Sequence, residues 1–277
     1  GDNTLVLGQR LSEWCGHAPA LEEDIALANI ALDLIGQTQL WLGLAGQREG
    51  QDRDADRLAF HRDAWDFRNL LLVEQPNRDF AVTTMRQFLF DAWHFEALTA
   101  LTTHADTEIS AIAQKSLKEV TYHRERSTET VIALGDGTDE SNARMQGALD
   151  RLWPYVGEMF TTDDDDLTDA RALRASFDAH VQPALAEATL QKPDSDFAHL
   201  GGKTGVRHGE HLGHMLATMQ VLPRSYPDAT WLSCCLISRR FGSGCQTSQT
   251  RRFRCSRSWT LASFAMCPGK AIHFTSR

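Results

Sequence analysis

Cysteine is nearly missing from most of this chain: five of its six (Cys234, Cys235, Cys245, Cys255, Cys267) fall after Trp231, leaving Cys15 alone before it. A disulfide framework is thereby excluded for residues 1–231, which suits a reducing compartment. No apolar run approaches the roughly 20 residues of a membrane span. Gly1-Asp2-Asn3-Thr4 lacks the basic and apolar regions of a signal peptide. A cytoplasmic protein with no membrane partner is expected. The net charge of −9 leaves no basic face for nucleic acid.

Acidic residues are missing in turn from Leu232 to Arg277, where eight Arg or Lys occur without one Asp or Glu. Residues 1–231 carry 20 basic and 37 acidic residues, a net of −17. Two compositions in one chain define two regions: a body, 1–231, and an atypical Cys/Arg-rich tail, 232–277. The tail lacks the Cys-x₂₋₄-Cys pairs of a zinc module. A frameshifted read is the expectation for it, with poor packing against a body it was not selected to match. Permitted codons for Arg251 to Ala265, shifted by one base, can encode Pro-Glu-Ile-Pro-Val-Leu-Thr-Val-Val-Asp-Leu-Gly-Ile-Val-Arg, which resembles the start of the small PaaD maturation protein.

Alternating strand patterns are also lacking in the body, and helical periodicity fills it. Leu5 to Trp14 gives a short helix. Ile25, Leu27, Ile30, Leu34, Ile35 and Trp41 place a second over Leu21 to about Leu44, with Glu22, Glu23 and Asp24 in the first turn, where the helix dipole favours anions. Further helices are expected over Leu58–Val73, Phe80–Leu101, a segment capped by Asp106 and ending at Leu134, Glu140–Phe160 bent at Pro154, Leu167–Leu190 and Val206–Val221. An all-α, ferritin-like four-helix bundle with additional helices follows.

In such bundles two helices each give a Glu, and two others give Glu-x-x-His, whose spacing aims both ligands at one spot. His123 stands where such a histidine would, but three residues earlier is Val120, which has no lone pair for a metal. Glu119 is one residue out of frame, turned about 100° around the helix. Asp33-Leu34-Ile35-Gly36 has the spacing, yet Gly36 cannot ligate. Asp91-Ala92-Trp93-His94 is a possible half-site, and Glu13 offers one more carboxylate. Glu13, Asp33, Asp91 and His123 make one metal's worth of ligands rather than two. A metal-free hydrogen-bonded remnant is expected; the alternative is a mono-metal enzyme using those four residues.

Two other stretches carry potential ligands. His208-Gly209-Glu210-His211, with His214, does not match the His-Glu-x-x-His zinc pattern, so polar contacts at a helix start are expected. Gly201-Gly202-Lys203-Thr204-Gly205 lacks Walker spacing; an interface loop is the plain reading. The sharper one is that Lys203 helps hold an anion, such as a phosphate of a CoA ester.

Four stretches carry a resemblance: Gln9-Arg10-Leu11-Ser12-Glu13-Trp14-Cys15-Gly16-His17-Ala18-Pro19, Ala28-Asn29-Ile30-Ala31-Leu32-Asp33-Leu34-Ile35-Gly36-Gln37, Asn69-Leu70-Leu71-Leu72-Val73-Glu74-Gln75-Pro76-Asn77 and His208-Gly209-Glu210-His211-Leu212-Gly213. In order and at fitting intervals, they closely resemble the PaaC family, the non-catalytic, ferritin-like subunit of bacterial phenylacetyl-CoA monooxygenase (the 1,2-epoxidase). The resemblance implies a structural subunit without a cofactor, supporting a related catalytic subunit (PaaA-like) that holds the di-iron centre. In that relative the helix matching Lys118 to Arg124 reads Lys-Glu-Glu-Ser-Phe-His, so Val120 replaces a ligand and His123 keeps one. Its Asp-Glu-Ala-Gly-His falls on Leu32 to Gly36, so Asp33 stands for the Glu and Gly36 for the His. Glu13 and Asp91 match acids the relative keeps. Phenylacetyl-CoA as substrate comes from the resemblance alone, and a homodimer is the other assembly open to the chain.

Overall fold

The computed structural model describes residues 1–163, 166–195 and 197–227. The tail and the frameshift reading lie outside the described residues. Among the described residues the structure is all helical, without strands, as a ferritin-like bundle requires. Its α-helices are α1 (Asp2–Trp14), α2 (Leu21–Glu49), α3 (Ala55–Phe60), α4 (Leu71–Glu74), α5 (Phe80–Leu101), α6 (Thr107–Gly135), α7 (Asp139–Leu152), α8 (Leu173–Glu187) and α9 (Glu210–Ser225).

α5 and α6 begin and end where their sequences say, while α2 begins at Leu21 and runs to Glu49, past the expected end near Leu44. Asp79 and Asp106 cap α5 and α6, their side chains accepting from the Val82 and Glu108 N–H groups. Gly50 ends α2 with φ of 69°, the left-handed turn glycine takes without strain. Gly46 lies inside α2. A Cβ there would lie 2.0 Å from the Arg53 carbonyl, so it lets the chain fold back.

The segment expected as one helix over Leu58–Val73 is broken. It is α3, a 3₁₀ turn at Ala64–Asp66, an extended stretch and α4. Side chains on other elements have claimed its backbone donors. Arg68 N–H goes to Asp2 Oδ2 (2.9 Å), Leu70 N–H to Asn3 Oδ1 (2.7 Å) and Leu71 N–H to Glu158 Oε2 (2.7 Å). Polar side chains that bind the main chain compete with the helix, and here they win. Residues 206–209 likewise precede α9 rather than begin it.

α1 packs along α2 and α5 along α6, with α7 and α8 laid on α5. Phe88, Phe90, Leu34, Leu7, Met85 and Phe177 are fully buried where these layers meet. Phe88 and Phe90 of α5 belong to the core, with Trp93 packed against it. α2 alone among the described residues is long and apolar enough, by length and composition, to cross a membrane. Its buried side is nonetheless part of this bundle and carries Gln37 and Thr38 inward.

Candidate functional site

α6 presents Ser116, Val120, His123 and Ser127 to the interior, at intervals of four, three and four. α2 runs alongside, tied to it by polar links along its length. Arg126 binds Glu23 (2.6 Å), Gln37 donates to Glu119 (3.0 Å), and Arg48 meets Asp106 and Glu108 (2.6 and 2.7 Å). Midway, the fully buried His123 ring donates from Nε2 to Asp33 Oδ2 at 2.9 Å. Asp33 keeps 39% of its side chain exposed, so this pair joins the core to the surface.

α5 supplies the third side. Asp91 is fully buried; Oδ1 accepts from Gln87 (2.7 Å), while Oδ2 has no partner. Burial pushes its carboxyl up to about 7, against the opposing pull of His123, Ser127 and Gln87. Burial, with His123 nearby, lowers His94 to about 3, so that ring is neutral. His94 lies against Phe90, ring centres 4.9 Å apart, and its Nδ1 is unpartnered, as is Nδ1 of His123. Asp33, Asp91, His94 and His123 therefore form one polar centre.

The remaining sequence candidates are placed otherwise. Glu13 is apart from this centre, ion-paired to Arg10 at 2.9 Å. Val120 is fully buried in an apolar cluster with Leu98, Leu101, Ala113, Trp41 and Phe95. Around Gly36 an added Cβ would meet nothing within 4 Å, so the position is open but empty of donors. Glu119 stays one residue out of frame from Val120 but is not idle. Four residues before His123 it shares that side of α6, half-buried and bound to Gln37, its pKa raised by burial and by neighbouring Asp33.

Among the described residues no three His, Cys, Asp or Glu side chains converge to hold a metal. The donor set does not fit a di-iron centre. One carboxylate position is valine inside an apolar cluster, Glu13 is taken by arginine, and the His123 nitrogen facing Asp33 is spent on it.

A second set of polar residues lies under the segment between α8 and α9. Glu158 is 1% exposed. Its Oε1 accepts from the N–H groups of Gly201, Gly202 and Lys203 (2.8, 2.7 and 3.2 Å), and its Oε2 from Leu71 N–H. The glycine-rich loop thus wraps an anion that the chain itself supplies. Lys203 Nζ is 2.6 Å from both the Thr161 carbonyl and Asp166 Oδ2, so its ammonium has intramolecular partners. Glu74, fully buried, accepts from Asn69 Nδ2 (2.9 Å), His208 Nδ1 (2.5 Å) and Gly209 N–H (2.7 Å). His208 precedes α9, and the His211 carbonyl accepts from Arg10. Histidines 208 and 211 make polar contacts at a helix start.

Sequence pattern alone does not mark Glu74, Glu158, Gln37 or Gln87 as members of these sites. Glu74 has a signal: it ends the run Leu70-Leu71-Leu72-Val73, where an acid must be buried with its neighbours. Glu158 has none beyond standing between Gly157 and Met159.

The fold defines the class: among the described residues, an all-helical bundle protein with a buried polar pair, His123 and Asp33, between two of its long helices. The model of the phenylacetic acid catabolic protein family matches residues 1–231. The chain is 48% identical over 239 residues to a subunit of the 1,2-phenylacetyl-CoA epoxidase of Escherichia coli (strain K12), covering 83% of this chain and 96% of that protein. The chain belongs to the phenylacetic acid catabolic protein family.

Proposed function

We propose that this chain is the metal-free structural subunit of a phenylacetyl-CoA 1,2-epoxidase. It pairs with a catalytic subunit that holds the di-iron centre and supports that subunit during aerobic phenylacetate degradation in the cytoplasm. The observation that carries the reading is Val120: a ligand position occupied by a fully buried apolar side chain packed among apolar neighbours.

Two stitched 29-residue helices, α2 and α6, give the chain a long rigid side. Helices of that length extend about 43 Å, enough for the broad interface of an obligate complex. The oxygen chemistry belongs to the partner; this chain contributes shape and stability. Lys203 takes no part in this reading, because its ammonium is already engaged.

The test is reconstitution. The chain and the di-iron subunit, purified separately, are mixed and assayed for a stable complex and for oxygenation of phenylacetyl-CoA. A complex active only when both are present supports the reading. Full activity of the di-iron subunit alone, or turnover by this chain alone, overturns it.

A further inference from the structure

Between α8 and α9 the chain crosses the bundle as a strap, residues 199–209, held mainly by charge. Leu200 and Val206 remain 48% and 75% exposed, so apolar burial contributes little there. Its N–H groups go instead to two buried carboxylates: Gly201, Gly202 and Lys203 to Glu158, and Gly209 to Glu74. Gly202 lies so close to the bundle that an added Cβ would be 2.5 Å from the Asn69 carbonyl and 2.9 Å from Leu71.

His208 closes the strap, and both its ring nitrogens face acceptors. Nδ1 is 2.5 Å from Glu74 Oε1, and Nε2 is 3.0 Å from the Phe67 carbonyl. A neutral imidazole has one N–H, and would set a lone pair against one of these oxygens. Only the imidazolium donates to both.

We propose that this strap is a proton-gated clasp: His208 as imidazolium fastens residues 201–209 to α4 and the stretch before it, and its deprotonation loosens them. The surroundings support a cation. Burial by itself would lower the His208 pKa. The hydrogen bond and charge of Glu74 outweigh it, helped by the Phe67 carbonyl and the charge of Glu158, and hold it above the ordinary histidine value. The other charged groups are Arg10 of α1, bound to the Glu74 main-chain carbonyl and not to its carboxylate, and the chain neighbours Arg207, Glu210 and His211. Because the folded pKa is raised, the clasp is at full strength below about pH 6.5, the unperturbed histidine value, and weakens as pH rises through the raised one. Loosening frees the main chain at Asn69 and the Leu71 side chain from beneath Gly202.

The experiment uses the full chain labelled with ¹⁵N-histidine. Ring nitrogen shifts of His208 are followed from about pH 6 to about pH 9, with hydrogen exchange of residues 200–209 corrected for the intrinsic pH dependence. His208 should be doubly protonated at about pH 6, and strap protection should fall by about tenfold or more across the range, while α5 stays protected. His208→Gln, which offers one donor and no charge, should exchange at the high-pH level throughout. A neutral His208 at about pH 6, flat strap protection, or a His208→Gln variant that keeps the step would each overturn the clasp. Should that variant fail to fold, the wild-type titration decides by itself.

Discussion

The polar centre around His123 and the carboxylate clasps beneath the strap are both buried and both acidic, yet their carboxylates are met by different numbers of donors. Glu158 accepts four main-chain N–H groups and Glu74 accepts three donors. Around His123, one oxygen of Asp91 and the Nδ1 atoms of His94 and His123 go without partners. Buried polar groups left unmet are costly, so folding tends to satisfy them. The clasps read as parts selected to hold this fold. The His123 centre keeps fewer partners for its carboxylate, and burial raises the Asp91 carboxyl to about 7.

The comparison can be broken most forcefully at Glu158. Glu158→Ala would strand the N–H groups of Leu71, Gly201, Gly202 and Lys203, and should cost about 3–5 kcal/mol in urea denaturation. A loss below about 1 kcal/mol would mean the clasp is not structural. Next comes Val120→Glu, which places an unpaired carboxylate among Leu98, Leu101, Trp41 and Phe95. We expect a loss of about 2–4 kcal/mol and a lower Tm, with no rescue by added iron. Iron-dependent recovery would mark the centre as one substitution from working.

Asp91 sharpens the contrast, because its effect has the opposite sign. Its folded pKa, about 7, lies above the ordinary 3.8, so the folded state holds a proton that the unfolded state releases. Stability contributed by that proton is present below about pH 4 and is lost as pH rises through about 7. Asp91→Asn should therefore stabilise the chain by about 1–3 kcal/mol at about pH 8 and flatten the slope between about pH 4 and 7. Equal destabilisation at every pH would show that the carboxylate is a needed structural ion. The smallest effect is expected at Gln37→Ala, which removes a half-exposed link to Glu119 and should cost about 0.5–1 kcal/mol in the same denaturation series.

Much of this is legible in the sequence. The capping acid Asp106 and the spacing of apolar residues locate α2, α5 and α6, and the interval from Val120 to His123 places both inside. What stays hidden depends on tertiary partners. The break between Leu58 and Val73 arises because Asp2, Asn3 and Glu158 take donors that a helix would have used. Residues 206–209 read as a helix start until Glu74 is seen to hold His208 and Gly209. Residue type groups Glu13 with Asp33, Asp91 and His123, while Arg10, three residues before it on the same helix, has already claimed it.

The central claim is that this chain has no working metal centre, and metal content tests it most directly. The chain is purified alone from iron-replete cells and analysed for bound metal, beside its Asp91→Ala variant. The account predicts no stoichiometric metal in either. One tightly held metal per chain, lost in Asp91→Ala, would contradict it and turn the His123 centre from a remnant into a site.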